Sequence, residues 1–210
     1  LLILQPDIST LAIIIATALV IYFAAGTPFI HTLFVIIIGL VSLFFLIKSA
    51  PYRMQRWLVF LNPEIEPLGI GYQLKQSLIT VGSGGIFGLG LGMSKQKFGF
   101  LPQSMTDSIF AIFAEETGFL GAAILISLFL IFAWQGSKIA KYAQDNFLKL
   151  TALGITFWIT IQAFTNMASM VGVLPITGIP LPFISYGGTH LVTELAAVGI
   201  LLNISKRTNV

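Results

Sequence analysis

Five apolar stretches, each close to the length a helix needs to cross hydrocarbon, constrain this chain more than any other feature. They run from about Ile8 to Ala25, Phe29 to Ile47, Ser108 to Trp134, Phe147 to Val171 and Gly187 to Ile204. A bilayer core about 30 Å thick takes roughly 20 residues of helix, and a helix satisfies its backbone hydrogen bonds internally. Of the 210 residues, 56% are hydrophobic and 9% charged, against roughly a quarter charged in an ordinary soluble domain. A compact soluble fold could not hide that much apolar surface. The expectation is an all-α polytopic membrane protein, residues 1–210 forming a single membrane domain of about five transmembrane helices. There are no cysteines, which excludes a disulfide framework and a thiolate metal site.

The chain opens Leu1-Leu2-Ile3-Leu4, with neither a starting Met nor a basic leader. That is not a signal peptide, and it predicts entry partway along a hydrophobic element, with an N-terminal part missing. Orientation follows from the short connections. The third–fourth connection carries Lys138, Lys141 and Lys149 against Asp145, and the tail carries Lys206 and Arg207. Two spans separate these regions, so they share one side, and the positive-inside rule makes it cytoplasmic. Counting back places the segment 48–107, Gln5-Pro6-Asp7 and the Pro175–Tyr186 connection outside. Segment 48–107 is itself basic, with six Lys/Arg and three Asp/Glu, but long loops weigh little in the rule.

That outer segment is more than a plain loop. Gly69 to Ile79 reads as a short amphipathic helix lying in the interface. Gly82, Gly84, Gly85, Gly88, Gly90 and Gly92 then fall within eleven residues, a density that permits positive φ and close backbone approach. It is no phosphate-binding P-loop, because no Gly-Lys-Ser/Thr follows.

Asp107 stands where this segment meets the third span. Thr106 or Asp107 reads as a helix N-cap satisfying free backbone N–H groups, and Asp107 also as a partly desolvated carboxylate acting as a general base; one residue can do both. Glu115 and Glu116 follow about 12 Å along the helix axis. Carboxylates inside a span must face the bundle interior or a wet cavity. They read as a structural pairing or as functional groups, and Glu194 raises the same question. Arg53, Arg56, Lys75, Lys95 and Lys97 make the outer segment cationic, suited to anionic headgroups or to a pyrophosphate in a positive cleft. Between Leu174 and Gly188, prolines and glycines crowd an apolar stretch that no helix can run through. It reads as a re-entrant loop closing over a site or as an extracellular turn. His31 and His190 have no metal-ligand spacing and read as structural.

The ordered motifs Gln5-Pro6-Asp7, Pro51-Tyr52-Arg53, Gly71-Tyr72-Gln73, Gln76-Ser77-Leu78, Gly90-Leu91-Gly92 and Gln96-Lys97 resemble the SEDS family (shape, elongation, division, sporulation). So do Leu101-Pro102, Thr106-Asp107-Ser108-Ile109-Phe110-Ala111, Glu115-Glu116-Thr117-Gly118 and, most specifically, Leu181-Pro182-Phe183-Ile184-Ser185-Tyr186-Gly187-Gly188. Residues 71–97 look closer to the division-type FtsW branch than to RodA. The resemblance implies the second half of a ten-helix fold, with a long extracytoplasmic loop and a re-entrant Pro/Gly loop. It implies a peptidoglycan glycosyltransferase of the bacterial cytoplasmic membrane, polymerising lipid II into glycan strands in division. The partners implied are a class B penicillin-binding protein, division proteins and membrane lipids, with no nucleic acid.

Asp107 occupies the aspartate of the family's Thr-Asp motif and is thereby implied as catalytic. Arg53, Arg56, Lys97, Gln76, Ser185 and Tyr186 are candidates to bind lipid II and its pyrophosphate. Glu115, Glu116, Gln5 and Asp7 are candidate polar residues of structural role. A sugar 4-hydroxyl would displace a polyprenyl pyrophosphate with inversion. A positioned base contributes about 10²–10⁴-fold to such a step, and cationic side chains or a divalent cation, Mg or Mn, held by Asp107 would stabilise the leaving group. Departures thin the acidic character nearby: Gln103 stands where many relatives have Glu, Met105 where they have His or a similar residue, and Gly99 where division-type members often have Glu. Two other readings are a lipid II flippase and a non-catalytic divisome scaffold. The chain alone is expected to be inactive.

Overall fold

The computed structural model describes residues 7–48, 51–66, 69–97, 99 and 101–207. Among these there are seven α-helices and no strand. They are α1 (Ile8–Ala24), α2 (Phe29–Lys48), α3 (Pro51–Leu61), α4 (Ile70–Ser83), α5 (Ile109–Lys141), α6 (Asn146–Met170) and α7 (Gly188–Lys206), with a 3₁₀ turn at Pro63–Ile65. Helices α5, α6 and α7 are long and apolar enough to cross a membrane. Apolar side chains such as Phe29, Ile30 and Phe34 on α2 and Phe119 and Ile124 on α5 are exposed. That is the pattern of a lipid-facing surface rather than a watery one.

The chain divides into two compact units. The first comprises Leu1–Ser49, Leu130–Ile161 and Gly188–Val210. Asp7 starts it by capping α1, its carboxylate accepting from the Thr10 N–H at 3.0 Å. Its core joins Ile139 and Ala140 of α5, Ala152 of α6 and Leu201 and Ile204 of α7. Gly136 lets two helices meet closely there, since a Cβ would lie 2.1 Å from the Thr156 hydroxyl. In α7, His190 Nε2 lies 3.0 Å from the buried Glu194 carboxylate, one turn away.

The second unit comprises Ala50–Phe129 and Gln162–Gly187. Its helix α3 is absent from the sequence reading, which left 48–69 as loop. Pro51 at the first helical position favours a helix start, because proline's missing N–H is unneeded there. The helix expected over Gly69 to Ile79 forms as α4 and runs on to Ser83, with Gly71, Leu74, Ser77 and Thr80 buried.

Helix α5 corrects the expectation of an uninterrupted third span. Gly118 has φ 70° and ψ −168°, a region essentially reserved for glycine. The two bonds that should run from Phe119 to Glu115 and from Leu120 to Glu116 are opened there, and the glycine-rich loop closes both. Glu115 O accepts from Leu89 N–H and Glu116 O from Gly90 N–H, each at 3.0 Å. The Phe119 and Leu120 N–H groups donate instead to Gly85 O and Ile86 O, at 2.9 and 3.2 Å. The approach is too close for a side chain: a Cβ on Gly88 would lie 2.2 Å from Glu116 O, and one on Gly118 2.3 Å from Gly88 N. The helix after the break, 119–141, is about 35 Å long at 1.5 Å per residue. It covers the hydrocarbon by itself, so the span need not include Glu115 and Glu116.

Candidate active site around Asp107

Asp107 lies in the turns of residues 101–108 that lead into α5. Those turns are tied from several sides. Ser108 Oγ donates to Pro102 O at 3.0 Å and accepts from Gln73 Nε2 of α4 at 3.3 Å. The Thr106 hydroxyl donates to Gln103 Oε1 at 2.7 Å, and Gln103 takes a positive φ of 54°. No backbone N–H of α5 bonds to the Asp107 carboxylate among the described residues, so the N-cap reading is not what the structure shows.

The Pro/Gly stretch packs against this turn as a loop held at four points. Ser185 Oγ donates to Thr106 O at 2.6 Å and accepts from Leu181 N–H at 2.7 Å. Tyr186 N–H donates to Met105 O at 2.9 Å. Gln162 Nε2 of α6 donates to Pro180 O at 3.1 Å. The buried Asn166, one turn further along α6, bridges both sides, with Nδ2 2.7 Å from Asp107 O and 2.7 Å from Ile179 O. Gly178, at φ +71°, lies beside Asp107: a Cβ there would stand in ordinary contact, 3.5 Å from Asp107 Oδ2.

Arg56 of α3 supplies the positive charge. Its Nη1 donates to Ile176 O and Thr177 O at 3.3 and 3.2 Å, and its guanidinium lies 5.8 Å from the Tyr52 ring centre. Burial pushes the Asp107 carboxyl above the ordinary carboxylate range, and the Arg56 guanidinium and the Thr106 hydroxyl offset this only in part. Three buried polar atoms on these residues, Arg56 Nε, Asn166 Oδ1 and Thr177 Oγ1, have no protein partner. Unsatisfied buried groups of this kind call for an explanation such as a bound water or ligand. The arrangement offers an ionisable carboxylate free of backbone donors, a cation beside it, and unused donors and acceptors around both.

Other expected site residues fall elsewhere. Lys97 pairs with Glu116 at 2.9 Å and donates to Gly92 O at 2.6 Å. Glu115 is buried and accepts from Ser94 Oγ and, at 3.4 Å, from Ser83 Oγ. These bonds fasten residues 83–97 to α5 just before its break. The Ser185 hydroxyl is committed on both sides, and the Tyr186 side chain is 80% exposed. Gln76 is half-buried on α4. Arg53 lies on α3, its side chain outside the described residues, and Gln5 lies outside them altogether. Sequence reasoning missed Asn166 and Gln162. Their signal was present: two amides four apart put polar groups on one face of an otherwise apolar helix.

Among the described residues no three His, Cys, Asp or Glu side chains come together, and the charge beside Asp107 is the Arg56 cation. A Mg or Mn ion there would take Asp107 as its carboxylate ligand and complete its shell with substrate phosphates and water, the usual arrangement for Mg.

Comparison with known proteins gives a consistent result. The family model FtsW/RodA/SpoVE, described as cell cycle protein, matches residues 1–210. Stage V sporulation protein E of Bacillus subtilis is 46% identical over 202 residues, 96% of this chain and 55% of that protein. The probable peptidoglycan glycosyltransferase FtsW of Trichlorobacter lovleyi is 43% identical over 205 residues, 98% of this chain and 54% of that one. The chain therefore spans about half the length of the curated relatives it matches. A structure reported for the coordination of polymerization and crosslinking by a peptidoglycan synthase complex covers the whole chain with a TM-score of 0.75 at 28% identity, over 59% of its own length. A mutant of the rod shape determining protein RodA of Thermus thermophilus covers it with a TM-score of 0.63 at 25% identity, over 53% of its length. Matched along its whole length, this multi-pass membrane chain belongs to the SEDS family of FtsW, RodA and SpoVE proteins.

Proposed function

We propose that this chain carries the catalytic carboxylate of a peptidoglycan glycosyltransferase that polymerises lipid II at the outer face of the bacterial cytoplasmic membrane. The observation that carries the proposal is Asp107: half-buried, raised in pKa, bound by no backbone donor and enclosed by the 174–187 loop and Arg56. Asp107 takes the proton from the acceptor sugar's 4-hydroxyl as that oxygen bonds to the donor's anomeric carbon. The bond from that carbon to the pyrophosphate oxygen breaks on the opposite face, inverting the centre, and the polyprenyl pyrophosphate leaves with the electron pair. Arg56 stabilises the charge that develops there, a role preorganised cations fill well in a water-poor site. A Mg or Mn ion, if bound, would be held by Asp107 on this chain and would add to the stabilisation of the leaving pyrophosphate.

Relatives named as probable peptidoglycan glycosyltransferases support this reading, and the complex that coordinates polymerization with crosslinking supports a crosslinking partner, which we take to be a class B penicillin-binding protein. The division branch is part of the proposal, since a sporulation protein and an FtsW match this chain at similar identity. No specific observation favours lipid II transport, because Glu115, Glu116 and Glu194 all have partners within the fold.

The test compares full-length protein and its Asp107→Asn variant with the partner transpeptidase and lipid II. A drop in glycan synthesis of about 10²–10⁴-fold is expected for loss of a general base. Equal polymer from both would overturn the assignment.

A further inference from the structure

In the first unit, α6 and α7 leave an open groove of about 490 Å³ where α6 begins and α7 ends. That volume is ample for a small ligand. The α7 side of it is made by Gly199, Ile200, Asn203, Ile204 and Arg207, which recur at three- and four-residue spacing along one helical face. Phe147 of α6 faces them across the groove. Along α7 the lining is graded: Ala196, Gly199 and Ile200 lie inward and Asn203 and Arg207 toward the end, Arg207 about 12 Å beyond Gly199. On α6, Phe147 and Leu148 lie in the first turn, at the Arg207 end, and Thr151 lies one turn inward.

This end of the unit is also its basic end. Lys138 and Lys141 close α5, Lys149 lies in the first turns of α6, and Lys206 and Arg207 end α7, against Asp145 alone. Lys138 stands 5.9 Å from the Trp134 ring and Lys141 5.7 Å from the Tyr142 ring. Aromatic rings with cations beside them mark the level of a membrane interface. An apolar slot that ends in a guanidinium at that level has the profile of a phospholipid, with tail inward and phosphate outward.

We propose that this groove binds one anionic diacyl phospholipid of the bilayer, an acyl chain lying inward along Ile200 and Ala196 and the phosphate meeting Arg207, with Phe147 beside the start of the chain. The proposal is independent of the chemistry at Asp107. It rests on the basic end facing the cytoplasmic leaflet, where anionic lipids attract such residues by about 1 kcal/mol per cation.

Full-length protein in nanodiscs is photolabelled with phosphatidylglycerol, or with phosphatidylcholine, carrying a diazirine on the acyl chain, and the labelled peptides are mapped. Label should fall on 147–151 and 196–204, about 5-fold more from phosphatidylglycerol, the factor that one such cation supplies. Arg207→Gln should bring phosphatidylglycerol down to the phosphatidylcholine level. Gly199→Leu places a side chain in open space and should abolish labelling by both lipids, with thermal unfolding unchanged. Equal labelling by the two lipids, labelling indifferent to Gly199→Leu, or no lipid label would overturn the proposal. So would a cross-link from a photoreactive residue at Asn203 to another protein's helix. Labelling of Lys206→Cys from outside would overturn the proposal too, because the basic end would then not face the cytoplasmic leaflet.

Discussion

Asp107 feels two opposing influences, and their balance makes it measurable. Burial favours its neutral form, while Arg56 favours the carboxylate and does not fully win. The folded state therefore holds the Asp107 proton more tightly than the unfolded chain does. Its stabilising effect is present below the unfolded pKa, about 3.9, and is lost as pH rises through the higher folded value. At neutral pH the ionised group is a net cost to folding, so Asp107→Asn should unfold at the same temperature or higher while losing polymerisation. A clear fall in melting temperature would show that the carboxylate is structural. The acid limb of polymerisation should lie above the ordinary aspartate range and move higher in Arg56→Met, which removes the offsetting cation. Asn166 is a positioning residue that holds the backbone of Asp107 to the Pro/Gly loop. Asn166→Ala strands both carbonyls, at about 1–3 kcal/mol each. It should lower the melting temperature and cut kcat with little change in the KM for lipid II; an unchanged kcat would remove it from the site.

At the scale of elements, the break in α5 and the glycine-rich loop make one structure. Neither is stable without the other, because the opened helix bonds at Glu115, Glu116, Phe119 and Leu120 are closed only by that loop. Glycine is required by two distinct effects. Gly92 has φ +80° with open space around it, whereas Gly118 has φ +70° and backbone atoms where a Cβ would go. Gly92→Ala should thus cost only the strain of a left-handed residue, about 1–2 kcal/mol. Gly118→Ala must also push the loop off the helix, and it should lower the melting temperature far more or prevent folding. Equal effects would mean that the contact with residues 86–88 carries no weight.

For the whole molecule, orientation is the prediction that can be read directly. The chain has no cysteine, so single cysteines report cleanly. A cysteine at Leu91 should react with a membrane-impermeant maleimide from outside, and one at Lys206 only after the cells are opened; the reverse pattern would invert the topology. What the sequence determined alone was whatever depends on local composition and period. Runs of apolar residues long enough for hydrocarbon become helices wherever they are placed, because an unpaired backbone cannot remain in lipid. Prolines and glycines between Leu174 and Gly188 cannot be helical, and the Thr106–Asp107 motif pointed to the carboxylate on which the proposed function rests. Tertiary structure decided whatever joins distant residues. Arg56 meets carbonyls 120 positions away, Asn166 meets Asp107 across 59, and the glycine run finds its partner in another helix. Even the cap reading of Asp107 turned on this. A helix-end carboxylate looks the same in sequence whether it faces its own N–H groups or a loop brought over it from another helix, and only packing decides between them.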